Sequence, residues 1–235
     1  MADEPALVWA KERRSPRRQA PSVEQIVRTA IAIADAEGLP AVSMRRVATD
    51  LGSGTASLYR YVASRDELVD LMIDEVTGAE DTGGAGLTGD WRADLAAVAR
   101  QARATLLRHP WLSGALPGRP ALGTNSLRRH EAALAAAAEL ADDITFAASA
   151  VDAVLAYVFG RVTQELAELQ AQRRSGLTKE QWQASVGPYI RDVIESGKYP
   201  QFARRVIEGE ERSAEEAFEF GLNCVLDGIA ARVPR

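Results

Sequence analysis

The chain has 235 residues, of which 46% are apolar and 26% are charged, and its formal net charge is −5. That length allows one large domain or two modest ones, with a core that needs no cross-links. The single cysteine, Cys224, excludes an internal disulfide framework. The two histidines, His109 and His130, lie far apart without a second cysteine, so we expect neither a metal site nor a cofactor.

No targeting or membrane segment is expected. Asp3 and Glu4 precede the first Lys or Arg, which is not the pattern of a signal peptide. The uninterrupted apolar runs are far shorter than the roughly 18 residues of a membrane span. We therefore expect a cytoplasmic protein that does not contact a membrane.

The charge is unevenly distributed along the chain. Residues 1–70 hold 10 basic and 10 acidic residues, so the whole acidic excess lies later. Within residues 11–20 there are five basic residues and one acidic residue, Glu12. A local basic arm on an acidic body suits an anionic partner at one end of the molecule.

The predicted elements begin after this arm. Residues 1–21 are rich in Pro and Arg and predict a disordered basic segment. Ser22 and Gln25 form a capping box at the start of a first helix. Gly38 ends that helix, and Pro40 prevents its continuation.

Two short helices come next, from about Met44 to Leu51 and from about Thr55 to Val62. Ser43 caps the first of them, and the sequence Gly-Ser-Gly at 52–54 predicts a tight turn in which both glycines adopt unusual backbone angles. Ser64 with Glu67 predicts another capping box, for a fourth helix that ends near residue 77.

Five glycines at positions 78–89 mark the domain boundary. We therefore predict a domain at 22–77, a linker at 78–89 and a larger domain at 90–235. Asp90 should cap a long helix that His109 and Pro110 stop. Further helices are predicted at about 121–140, 143–174, 179–196 with a break at Gly187-Pro188, 200–209 and 214–233, with Ser213 and Glu216 as the last capping box. No segment alternates like a strand, so the fold class is all-α.

Two short helices joined by a glycine turn are typical of a helix-turn-helix. Val47, Leu51, Leu58 and Val62 would pack the pair together, leaving small and polar residues outside. Such a face fits the DNA major groove. Arginine side chains beside it, Arg45, Arg46 and Arg65, could hold phosphates, as could the free amides at the helix starts near Ser43 and Ser64.

These residues resemble a known family. Residues 29–76 are similar to the DNA-binding domain of the tetracycline-repressor (TetR) family of bacterial transcriptional regulators. The resemblance rests on AEG at 36–38, SMRRVA at 43–48, LG at 51–52, SLYRYV at 57–62 and RDEL at 65–68, with Ala30. Beyond this domain the similarity is weaker and rests on Asp90-Trp91, His109-Pro110 and residues 218–229.

The resemblance implies an all-helical homodimer that binds a palindromic operator and releases it when a small molecule binds the C-terminal domain. It implies no enzyme activity, and no nucleophile–base pair, metal cluster or phosphate loop is recognisable in the sequence. Because Gly54, Thr55 and Ala56 are small, direct base readout would be sparse. The implied operator contacts are Ser43, Met44, Arg45, Thr55, Ala56, Ser57, Tyr59, Tyr61 and Arg65.

The basic arm has two interpretations. Arg13, Arg14, Arg17 and Arg18 could follow the minor groove beside each half-site, or they could belong to a solubilising tail. The predicted function has an alternative as well: a DNA-binding regulator or activator of the same fold that responds to no ligand. The Ala- and Arg-rich composition indicates a high-GC bacterium such as an actinomycete. We therefore expect a bulky natural product as the ligand and a role in an antibiotic response.

A ligand pocket and a dimer interface are the last expectations. The stretch from Tyr157 to Gln164 mixes aromatic and polar side chains within a long helix, as small-molecule sites do. The candidate pocket residues are His109, Trp111, Phe146, Tyr157, Phe159, Arg161, Gln164 and Trp182. The apolar stripe of the last helix gives the candidate dimer contacts Phe218, Leu222, Val225, Leu226 and Ile229.

Overall fold

The computed structural model describes residues 21–78, 87–115 and 122–233, and all regular elements within those ranges are helices. Residues 21–78 form an N-terminal unit, and residues 87–233 form a C-terminal unit. The predicted arm and most of the predicted linker, residues 1–20 and 79–86, lie outside the described residues.

The N-terminal unit contains four helices, and local serine side chains cap the starts of the first, second and fourth. In α1 (Val23–Glu37) both halves of the predicted Ser22–Gln25 capping box are present, and Gly38, with φ of +86°, ends the helix. Pro40 then lies in a short 3-10 turn, Leu39–Ala41. The remaining helices are α2 (Met44–Asp50), α3 (Thr55–Leu58) and α4 (Arg65–Gly78), and Ser64 Oγ accepts from the amide of Glu67 at the start of α4.

Two predictions about the turn and α3 were wrong. Gly52 has φ of +63° but Gly54 has φ of −79°, so only Gly52 adopts a backbone conformation that favours glycine. α3 ends at Leu58 rather than Val62. The amides of Arg60 and Tyr61 bond to carbonyls three residues back, so the chain tightens into 3-10 geometry after one α-turn.

The C-terminal unit is built around one long helix. α8 (Ile144–Ser175) packs against α5 (Trp91–Arg108) and α7 (Thr124–Ala137). α11 (Ala214–Ala230) packs on α8 and α5. The face of α8 inside this core consists of small and branched residues, Ala147, Ala150, Val151, Val154, Val158, Val162 and Leu166. Asp90 and Ser213 cap α5 and α11 as predicted.

α8 is also long and apolar enough to cross a membrane by length and composition alone. A core helix meets the same criterion, and Val154, Val158 and Val162 of α8 are fully buried within the protein. Packing against α5 and α7 covers that one face of α8, while only 28% of its most apolar stretch is buried within the chain.

Three further differences from prediction lie in the C-terminal unit. α6 (Leu112–Ala115) was not predicted, and the helix expected at 121–140 is α7 followed by a 3-10 turn, Ala138–Leu140. α9 (Lys179–Glu195) continues through Pro188 without the predicted break. Neither α9 nor α10 (Pro200–Glu208) contains a buried residue, so water can bond the carbonyl that a proline leaves unpaired.

Candidate nucleic-acid interface and interior sites

The helix-turn-helix is held together by a small apolar core. Val47 of α2 and Leu58 of α3 are fully buried, as is Val62 beyond α3. Ser43 caps α2 by accepting from the amide of Arg46 at 3.2 Å. In the turn, the amide of Ser53 donates to the carbonyl of Ala48. The geometry fixes α3 across α2 with one face directed to solvent.

That outer face carries the side chains expected to contact DNA. Ala56 is exposed, and Tyr59 keeps 51% of its surface exposed. Arg45 on α2 is exposed too, while Thr55 and Ser57 are half-buried. Tyr61 is half-buried and packs on the core with its ring.

Two arginines near this face are held by the protein itself. The Arg46 guanidinium makes a bidentate contact with the Glu37 carboxylate, with N–O distances of 2.8 and 3.1 Å, and it also donates to Asp50. Hydrogen bonds to Glu37 and then to Asp50 raise the pKa of Arg46 above its ordinary value. Arg65 donates from Nε to the carbonyl of Val42 and from Nη2 to the carbonyl of Leu39, each at 2.9 Å. Arg46 therefore ties α2 to α1, and Arg65 ties α4 to the segment before α2.

Met44 needs a correction among the expected operator contacts. Its side chain is only 4% exposed and lies in the core of the N-terminal unit. A methionine there stabilises the packing of α2, because burying its apolar surface removes that surface from water. The four arginines of the arm, Arg13, Arg14, Arg17 and Arg18, lie outside the described residues.

His109 and Trp111 join the two units instead of lining a described cavity. His109 Nδ1 and Trp111 Nε1 both lie 2.8 Å from Oδ1 of Asp35 on α1. Trp111 is 6% exposed, and the two rings stand edge to face. The end of α5 is thereby attached to the N-terminal unit.

Tyr157 is likewise used inside the protein. Its hydroxyl donates to the carbonyl of Phe218 at 2.7 Å, and its ring packs on the Phe218 ring. Burial raises the pKa of Tyr157, so the hydroxyl remains a donor at neutral pH. A β-carbon on Gly221 of α11 would overlap the Tyr157 ring, so glycine allows the two helices to approach.

The remaining candidate pocket residues do not share one cavity. Phe146 lines an apolar groove of about 320 Å³ between α8 and α11, with Ala150 and Val225 among its walls. Trp182 is 54% exposed and lines a cleft of about 580 Å³ between the end of α8 and α9. Phe159 is half-buried against the core. Arg161 Nη1 donates to Gln164, and Arg161 Nε is buried without a hydrogen-bond partner.

The predicted dimer stripe is mostly a core stripe. Phe218, Leu222 and Leu226 are at most 1% exposed within a single chain, and Ile229 is 7% exposed. Phe218, Leu222 and Leu226 therefore belong to the core that α11 forms with α5 and α8, whereas Ile229 also lines the α8–α11 groove. Val225 alone is half-buried at the edge of the α8–α11 groove.

A buried charged cluster escaped sequence analysis. Arg103 of α5 pairs with Glu165 of α8, and both side chains are about 90% buried, with exposures of 13% and 11%. Arg103 also pairs with Glu215 and stacks over the Phe218 ring. Burial acts to lower the pKa of Arg103, but hydrogen bonds to Glu165 and Glu215 outweigh it. The partners are more than 60 residues apart in sequence, so no local pattern reveals them.

Asp74 is a second buried charged residue that the sequence analysis missed. It is 8% exposed on α4, and its carboxylate accepts from the amide of Ser126 in α7 at 2.9 Å. The sequence gives no clear signal for this, since Asp74 is followed by Glu75 and α4 carries several other charged residues. Within the described residues no group of three or more His, Cys, Asp or Glu side chains could hold a metal ion.

Comparison with known proteins gives consistent matches. The family profile described as "Tetracyclin repressor-like, C-terminal domain" matches residues 84–233. The HTH-type transcriptional repressor DrrR1 of Streptomyces coeruleorubidus is 39% identical over 230 residues, which are 97% of this chain and 84% of that protein. An HTH-type transcriptional regulator of Saccharopolyspora erythraea is 35% identical over 165 residues, 68% of each chain.

Solved structures agree with these matches. The TetR family protein ActR of Streptomyces coelicolor, in complex with actinorhodin, is 28% identical and superposes with a TM-score of 0.71. The match covers 94% of this chain and 100% of that one. ActR in complex with (S)-DNPA gives a TM-score of 0.70 at 27% identity, over 94% and 100% of the two chains.

Proposed function

Because the chain belongs to the TetR family of transcriptional regulators, we propose that it is a repressor that binds a palindromic operator as a homodimer and releases it on binding a small molecule. The fold is an N-terminal helix-turn-helix domain followed by a helical ligand-binding domain. DNA binding and ligand binding are properties of this family. The observation that carries the proposal is the solvent-facing side of α3, with Tyr59 exposed at its C-cap and Arg45 exposed on α2.

Operator contacts are proposed for the exposed residues of this face. Tyr59 and Ser57 would bond phosphates, and Ala56 with Thr55 would approach base edges. Arg45 is the described side chain best placed for a guanine, because Arg46 and Arg65 are occupied by protein partners. Met44 is omitted because it is buried.

The α8–α11 groove supports the homodimer. Its walls include Phe146, Val225 and Ile229. Exposed apolar surface of this kind is typical of a protein–protein contact. Two copies related by a two-fold axis would match a palindromic site, with half-sites about 34–36 Å or a multiple apart.

The cleft beside Trp182 supports a bulky ligand. Its volume of about 580 Å³ lies within the usual range of small-molecule sites, roughly 300–1,000 Å³. Arg161 does not line this cleft, but its Nε is buried on α8 without a partner, so a ligand acceptor that reached it could bond it. ActR, which superposes along nearly the whole chain, was solved with actinorhodin, so we propose a natural product as the ligand.

The test is release of labelled DNA. Fluorescence anisotropy would follow the purified protein on a palindromic duplex taken from the DNA beside its gene. Actinorhodin and other multi-ring natural products would then be titrated in. Release by at least one compound, with quenching of Trp182 fluorescence that is lost in Trp182→Phe, is the expected result. Firm operator binding that no compound weakens would instead favour a ligand-independent regulator of the same fold.

A further inference from the structure

The first turn of α7 lacks a capping side chain of its own. Its N-cap residue is Gly123, and no side-chain cap hydrogen bond comes from that position. The first amides of a helix have no partner within the helix, and a side chain at the N-cap normally accepts from the second or third of them. α7 therefore needs an acceptor from elsewhere in the molecule.

Asp74 of α4 supplies that acceptor. Ser126 is the third residue of α7, and its amide donates to Asp74 Oδ1 at 2.9 Å. The Asn125 side chain also donates to the backbone carbonyl of Asp74, at 3.2 Å. A β-carbon on Gly123 would overlap the Asp74 carboxylate, so the glycine leaves room for a cap from α4. The carboxylate also places a negative charge at the positive end of α7.

The other end of α4 holds the DNA-contacting region. Arg65, the first residue of α4, bonds the carbonyls of Leu39 and Val42 just before the N-cap of α2. Arg65 and Asp74 are nine residues apart, which is about 14 Å along one helix. If the start of α7 moved, α4 would move with it, and Arg65 would then shift the Leu39–Val42 segment that precedes α2.

The joint between α4 and α7 has space to move. A cavity of about 250 Å³ borders it, with Asp74 and Asn125 in its wall next to Val27 and Leu71. Tightly packed cores resist small displacements, whereas an element beside a void has room for an alternative position. The α7 start is bounded by Asp74 on one side and by this void on another.

We propose that Asp74 is a positioning residue whose cap couples the start of α7 to the DNA-binding helices. This inference rests on the proposed operator binding. Operator binding favours one position of α4, and in that position the cap on α7 is complete. By linkage, whatever breaks the cap lowers operator affinity, and operator binding protects the cap by the same factor.

The experiment is hydrogen exchange of the full-length protein, free and bound to its palindromic duplex. The peptide covering residues 123–128 is followed in four proteins: the parent, Asp74→Ala, Asp74→Asn and Asp70→Ala. Asp70→Ala is the matched control, because it removes an exposed carboxylate from the same helix one turn earlier. Asn is as good a cap as Asp, so Asp74→Asn keeps an acceptor.

We expect DNA to slow exchange at the α7 start about fivefold in the parent, the size of one capping interaction. Asp74→Ala should abolish this DNA-dependent protection and weaken operator binding by a similar factor. Asp74→Asn should keep most of the protection, and Asp70→Ala should behave like the parent. A merely structural role would change exchange equally in the free and bound states.

Two results would overturn the proposal. One is protection of residues 123–128 by DNA in Asp74→Ala to the same extent as in the parent. The other is a parent protein that binds the palindrome without any protection at the α7 start, which leaves operator binding intact and removes the coupling. A parent that fails to bind the palindrome at all would contradict the proposed function first, and the coupling with it. If Asp74→Ala does not fold, the comparison of the free and DNA-bound parent still decides, because equal exchange of residues 123–128 in the two states contradicts the coupling.

Discussion

Individual side chains determine whether the exposed face of the helix-turn-helix can bind DNA sequence-specifically or only nonspecifically. Arg45 is exposed, whereas Arg46 is paired with Glu37 and Asp50. Two neighbouring arginines of identical chemistry thus have different roles, because one guanidinium is already hydrogen-bonded within the protein. The family resemblance includes Arg45 and not Arg46 among the implied operator contacts, and the structure adds that Arg46 is hydrogen-bonded to Glu37 and Asp50.

Replacement of Tyr59 by Ala should weaken binding to the operator and to random DNA alike. The hydroxyl is expected to bond a phosphate, and hydrogen bonds to charged groups contribute about 1.5–3 kcal/mol each. Phosphates carry no sequence information, so the ratio of the two affinities should not change. Anisotropy titrations with both duplexes measure this. Tyr189→Ala, which alters a tyrosine 69% exposed on α9, is the control.

Replacement of Arg45 by Ala should act differently, by lowering the preference for operator over random DNA. A good bidentate contact with guanine discriminates by roughly 1–3 kcal/mol. The same two titrations give the ratio, with Arg191→Ala on α9 as the control. If the ratio is unchanged while both affinities fall, Arg45 binds a phosphate and the assignment of base readout to it is wrong.

At the scale of elements, the caps were predictable and the helix partners were not. The capping boxes of α1 and α11 depend on residues three positions apart, and both are present. By contrast, Asp74 and Ser126 are 52 positions apart, and Asp35 and His109 are 74 apart. Local pattern carries no information about such pairs, so the contact of His109 with Asp35 was not predicted.

The α11 stripe shows the same limit. Its helical periodicity correctly indicates a buried face, but not which surface buries it. Phe218 and Leu222 pack within the same chain, against α5 and α8, while Val225 and Ile229 line the α8–α11 groove. The early end of α3 was also beyond prediction, since backbone geometry after Leu58 depends on how Val62 enters the core.

A substitution in α11 tests how closely it packs on α8. Gly221→Ala should destabilise the protein by about 1–3 kcal/mol, because the new β-carbon meets the Tyr157 ring, which its hydrogen bond to Phe218 holds in place. Urea unfolding gives the change in free energy. Gly187→Ala is the control, since nothing lies within 4 Å of a β-carbon there, and helix propensity should make it neutral or up to about 1 kcal/mol stabilising.

At the scale of the whole molecule, the two units are joined through carboxylates of the N-terminal unit. Asp35 accepts from the end of α5 and its neighbour Trp111, and Asp74 accepts from α7. A ligand that shifts α5 relative to α7 would therefore alter both attachments. It can do so only by binding the two arrangements with different affinities.

Removal of residues 1–21 should weaken operator binding and make it less sensitive to salt. Each phosphate neutralised by the arm adds about −0.9 to the slope of log affinity against log salt. Arg13, Arg14, Arg17 and Arg18 supply up to four such charges per chain. Operator affinity of the full and shortened proteins across a salt series measures this, and equal slopes would mean that the arm only aids solubility.

The central claim is that two copies of this chain dock their α3 helices on one palindromic site. Sedimentation of the protein with a fluorescent palindromic duplex tests it most directly. The account predicts two chains per duplex, and loss of that complex when five base pairs inserted between the half-sites turn them to opposite faces of the DNA. One chain per duplex, or equally tight binding to the altered spacing, would contradict it.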